Sequence, residues 1–74
     1  MARSLFTISI DIRKDWKKPY FGAVPYINAM GSLDDITDNY GYDSGRSVVQ
    51  YFLANAGTWK GDVARRIKKE LKAL

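Results

Sequence analysis

The sequence predicts an α+β domain in which an N-terminal β-strand or hairpin packs against two to three α-helices. Three observations carry that expectation. Residues 5–12, LFTISIDI, alternate apolar and polar, while two later stretches repeat their apolar positions at helical spacing. A length of 74 residues leaves room for one domain, spanning 1–74.

The first element follows from the alternation. Phe6, Ile8, Ile10 and Ile12 point one way and Leu5, Thr7, Ser9 and Asp11 the other, with β-branched residues throughout. A lone strand leaves its backbone groups without partners. Tyr20–Val24 is the candidate partner inside the chain, returning antiparallel after the polar loop Arg13–Pro19, although Pro19 and Gly22 weaken it. Failing that, two copies of residues 5–12 pair across a dimer axis, so both a monomer and a homodimer are open.

Pro25 suits the first turn of a helix carrying Tyr26, Met30, Leu33 and Tyr40 on one stripe, which Gly31-Ser32 can break. A turn at Asn39–Ser44 precedes the clearest helix. Asp43 or Ser44 caps it, Val48, Val49, Phe52, Leu53 and Ala56 form its apolar arc, and Gly57 closes it. Thr58 then caps a last helix over 59–74, whose apolar face is Trp59, Val63, Ile67, Leu71 and Leu74.

A chain this short buries only about 60% of its unfolded surface, so the aromatics must supply much of the core. Phe6, Phe21, Tyr26, Phe52 and Trp59 are expected there. The absence of Cys and His excludes disulfides, thiol nucleophiles and imidazole bases, and implies a reducing compartment. No apolar run approaches the roughly 20 residues of a membrane span. No cofactor motif is present, no Asp sits in an apolar setting that would raise its pKa, and no enzymatic activity is expected.

Charge is segregated along the chain. Residues 1–24 carry five basic and two acidic groups, residues 25–57 one against four, and residues 58–74 six against two. On the last helix Arg65, Lys68, Lys69 and Lys72 lie within about 100° of arc opposite the apolar face. Arg66 has Asp62 and Glu70 four residues to either side and reads as occupied by ion pairs. The loop Lys14, Trp16, Lys17, Lys18 sets a tryptophan among cations, a composition suited to stacking on a base or gripping a phosphate backbone. It equally suits a tryptophan folded over the core with lysine stems covering it.

Asp34, Asp35 and Asp38 lack the spacing of a calcium loop, so no metal is expected. They read as helix caps and solvated turns, or as an acidic docking patch that imitates phosphates. Ser44-Gly45-Arg46-Ser47 opens a helix whose free N–H groups could hold an anion, although capping explains the same residues.

The runs Val24-Pro25-Tyr26-Ile27-Asn28-Ala29-Met30, Tyr40-Gly41-Tyr42-Asp43-Ser44 and Ser47 through Ala64 resemble small uncharacterised accessory proteins of tailed phages and related mobile elements. The resemblance covers roughly residues 24–72. It implies a bacterial host cytoplasm and a small-inhibitor or regulator role, and carries over no functional residue. The resulting expectation is a non-enzymatic protein that binds a host protein or nucleoprotein machine, as an anti-CRISPR or other anti-defence inhibitor would. The 5–12 strand edge would then be an extra docking surface. The alternative is direct binding of DNA or RNA through the 65–72 stripe and the 13–18 loop.

Overall fold

Ser4 Oγ accepts the Thr7 N–H at 3.1 Å and caps a helix, α1, over Leu5–Asp15. In this computed structural model, which describes residues 3–74, the strand expected at 5–12 is therefore a helix. Its buried positions are Leu5, Ile8, Ser9 and Ile12, and buried Trp16 follows one turn later. Ile8 and Ile12 fit a helix or a strand equally, because a separation of four puts two residues on one side in either. Phe6 and Ile10 decide between them, and they are 49% and 36% exposed. A helix satisfies its backbone internally and needs no second strand. The Ser9 hydroxyl donates to the Phe6 carbonyl at 2.6 Å, so a polar residue can sit on the buried side.

The expected partner strand is also absent. Residues 21–23 turn, Tyr20 and Phe21 lie exposed, and the next helix, α2, covers Val24–Met30 with Pro25 in its first turn. Without strands at the N-terminus, neither a strand-paired dimer nor edge docking at 5–12 applies. As the sequence suggests, α2 stops at Gly31. Met30 and Leu33 are buried, but Tyr40 at the end of the expected stripe is exposed.

The hairpin of the fold lies in the middle of the chain. Strands β1, Asn39–Tyr40, and β2, Asp43–Ser44, pair antiparallel with Asn39 opposite Ser44 and Tyr40 opposite Asp43. Gly41 has φ +62° and Tyr42 does not share the positive φ, the pattern of a type II′ turn with glycine first.

Ser44 then caps α3, Gly45–Ala54, its Oγ accepting the Ser47 N–H at 3.1 Å. Position 45 has to be glycine. A Cβ there would lie 2.8 Å from the carbonyl oxygens of Asp35 and Ile36. The helix ends earlier than Gly57 because Asn55 caps it and returns its Nδ2 to the Tyr51 carbonyl at 2.9 Å. The last helix, α4, covers Asp62–Lys72 with Gly61 at its N-cap, so neither Thr58 nor Trp59 is part of it.

Four helices and one short hairpin make the described residues roughly α+β. Helix α1 packs on α2 and α4, and α2 on α3. Phe52, Leu5, Ile8, Ile12, Ile27, Met30 and Ile67 fill the centre of a molecule measuring 29 × 28 × 18 Å. Phe6 and Phe21 were expected in the core and are 49% and 79% exposed. Trp16 takes their place. It stacks on Trp59 with centroids 5.6 Å apart and planes 8° apart, and Phe52 meets both rings edge-on. Among the described residues, no helix is long and apolar enough to cross a membrane.

Candidate functional site

The basic segments at the two ends of the chain become neighbours through the packing of α1 on α4. Lys14 and Arg66 line one shallow cleft at that seam, together with Asp11, Asp15 and Val63. Lys17 and Lys18 lie exposed just beyond α1, and Lys69 and Lys72 lie exposed on α4.

The acids of this face are already engaged. Arg3 forks between the two helices, donating to Glu70 through Nε at 2.9 Å and Nη2 at 2.6 Å, and to Asp11 through Nη1. Those hydrogen bonds hold the Asp11 and Glu70 carboxyls below the usual carboxylate range and push the Arg3 guanidinium higher still. The Asp15 carboxylate accepts the Trp59 indole N–H at 2.8 Å. Asp62 takes the Arg65 guanidinium. Lys14, Lys17, Lys18, Lys60, Arg66, Lys69 and Lys72 have no ion-pair partner among the described residues. Arg3 and Arg65 offset part of the acidic charge, and the seven unpaired cations outnumber the carboxylates that remain, so the surface potential here is positive.

Two assignments on α4 are reversed. Arg66, expected to be occupied, is unpaired among the described residues, whereas Arg65 pairs with Asp62 three residues earlier and Glu70 pairs with Arg3. Spacings of three and four are both neighbours on a helix, and the sequence could not choose between them. Lys68 departs from the exposed stripe too. It is half-buried, its Nζ donates to the Trp59 carbonyl at 2.6 Å and sits 5.9 Å from the Trp59 ring centroid, and burial lowers its pKa. Trp16 is buried in the core against Trp59 and Phe52, so it presents no ring face to a base, and of the two readings it is folded back over the core. Lys60 is a cation that sequence reasoning passed over. Its signal was weak, a lone lysine outside the helical stripe.

The acidic segment serves the fold. Asp38 Oδ2 accepts the N–H groups of Asp34 and Asp35, both at 3.1 Å, and closes the turn. That turn offers its carbonyls to two helices. Leu5 and Phe6 donate to Asp34 and Leu33 at 3.0 and 2.9 Å, and Gly45 and Arg46 donate to Asp38 and Ile36 at 2.6 and 2.9 Å. Donors that open α1 and α3 are thereby satisfied, and the nearby carboxylates favour the positive helix ends. The anion site read at Ser44–Ser47 is occupied by the chain's own oxygens. Among the described residues, no group of three acidic, His or Cys side chains could hold a metal ion.

What this arrangement can do is attract a polyanion and hold it by contacts to unpaired lysines and Arg66. Comparison with protein-family models, with curated proteins and with solved structures finds no match to this chain.

Proposed function

We propose that this chain is a non-enzymatic accessory protein of the phage or mobile-element type. It acts in a bacterial host cytoplasm by binding a nucleoprotein machine, as an anti-CRISPR or other anti-defence inhibitor does. The contact is the cationic α1/α4 face, set against the machine's exposed nucleic acid. One observation carries this reading. Lys14 and Arg66, from the two ends of the chain, meet at one cleft, Lys17 and Lys69 lie exposed beyond α1 and on α4, and all four are unpaired among the described residues, while Arg3 engages Asp11 and Glu70 and Arg65 engages Asp62. The acidic segment is the weaker candidate surface, because its carboxylates and carbonyls close a turn that caps two helices.

Capture from a bacterial lysate, with and without nuclease, tests the reading. The partner's protein components should be captured together with its nucleic acid from untreated lysate and released by nuclease or by high salt, and nucleic acid captured without such proteins would point to the second reading. The second reading, binding of free DNA or RNA, draws on the same cations. It predicts that log K falls linearly with log[salt], each phosphate contact adding about 0.7–0.9 to the slope. Lack of binding to either nucleic acid at low salt removes that second reading.

A further inference from the structure

A second cleft lies away from the α1/α4 seam, where α3 meets the end of α4 and the turn carrying Ile36. Its floor is Ile36, Val49, Leu53 and Leu71, and Arg46 and Lys72 stand at its rim. No acidic side chain lines it. Arg46 and Lys72 are exposed and have no ion-pair partner among the described residues. The cleft measures about 180 Å³, below the roughly 300–1,000 Å³ that encloses a whole small-molecule ligand. Such a volume suits one bulky side chain. An apolar floor with an unpaired cationic rim is the complement of an apolar anchor flanked by carboxylates, the anchor supplying affinity and the charges fixing its register.

We propose that this cleft is the docking site for an acidic segment of a partner protein. One leucine- or phenylalanine-sized side chain seats on Ile36, Val49, Leu53 and Leu71, and the flanking carboxylates pair with Arg46 and Lys72. The cleft lies apart from the α1/α4 seam and shares with that face's cations only Lys72, which is not among the four residues, Lys14, Lys17, Arg66 and Lys69, on which the proposed nucleoprotein contact rests.

The probe is a peptide blocked at both ends, Asp-Glu-Phe-Glu-Asp, titrated into isotope-labelled full-length protein and followed by amide chemical shifts. Saturable shifts should centre on Ile36, Val49, Leu53 and Leu71, with a Kd on the order of 1 mM for one anchor and its rim charges. Arg46→Glu together with Lys72→Glu alters two exposed side chains and should weaken binding by about tenfold with the fold unchanged. Replacing the peptide's phenylalanine with serine should abolish the shifts. Three results would overturn the proposal: no saturable shift, equal shifts with the serine peptide, or shifts centred on Lys14 and Arg66. Peptide-free, concentration-dependent shifts at the cleft would assign it to a second copy of this chain, which also overturns it. None of these failures affects nucleoprotein capture through Lys14, Lys17, Arg66 and Lys69.

Discussion

Helices α1 and α4 are both eleven residues long and lie side by side, but they expose opposite chemistry. The outer side of α4 is charged, with Arg65, Arg66, Lys69 and Lys72 in water. The outer side of α1 shows Phe6 and Ile10 beside Arg13 and Lys14. Both helices bury residues four apart, Ile8 and Ile12 in one, Ile67 and Leu71 in the other. Such pairs fit a helix and a strand alike, so the residue midway between them decides what the sequence appears to say. Midway in α4 stands Lys69, and alternation fails at once. In α1 it is Ile10, and alternation survives although the chain is helical. Exposed apolar residues thus disguise one helix, and exposed cations advertise the other.

The comparison can be broken at the contact that joins the two helices. Trp59→Ala removes the stack on Trp16, the bond to Asp15 and the ring beside Lys68 Nζ, while leaving the carbonyl that Lys68 bonds. It should cost about 3–5 kcal/mol, enough to unfold most molecules of so small a domain in a thermal melt. Next in size are paired truncations along α1. Leu5→Ala and Ile8→Ala should each cost about 2–5 kcal/mol, and Phe6→Ala and Ile10→Ala well under about 2 kcal/mol, by denaturant titration. A strand at 5–12 demands that Ile8 and Ile10 cost the same, so equal losses would restore it. Ser4→Ala removes the α1 cap and should cost about 1 kcal/mol, with Ser4→Gly recovering most of it.

The smallest effect concerns the fork between the helices. Arg3→Ala should cost about 0.5–1 kcal/mol near neutral pH, since the groups are partly exposed. Asp11 and Glu70 titrate below their unfolded values, so their contribution is complete above the ordinary carboxylate range. It disappears as pH falls through the lowered values. Melting temperatures of the parent and of Arg3→Ala should therefore converge below about pH 4. A constant difference across that range would show that Arg3 acts by packing alone.

What the sequence made legible follows local chemistry. Ser44 as a cap, Pro25 in a first turn, the break at Gly31 and the amphipathic α4 each depend on residues within one turn of one another. The α+β class was read correctly in outline, but its hairpin sits at 39–44 and its first element is a helix. Ser4 followed three residues later by Thr7 was the capping signal for that helix, overshadowed by Phe6 and Ile10. The site was legible as composition and not as geometry. Lysines could be located, but the burial of Trp16 and the pairing of Glu70 with Arg3 depend on partners distant in the sequence, and Arg66 is freed by that pairing together with the local choice of Arg65 by Asp62. The acidic turn is the same case, because its carbonyls serve helices that begin at residues 5 and 45.

The central claim is that the unpaired cations joined by α1 and α4 make the contact with a polyanionic partner. Its most direct test is capture from a bacterial lysate by the protein bearing Lys14→Gln, Lys17→Gln, Arg66→Gln and Lys69→Gln. A second protein bearing Asp34→Asn and Asp43→Asn serves as the comparison. All six side chains are exposed, and each substitution should move stability by no more than about 0.5 kcal/mol. The account predicts that the glutamine protein loses the nucleoprotein partner and the asparagine protein keeps it. Retention by the glutamine protein with loss by the asparagine protein would contradict it and move the contact to the acidic segment.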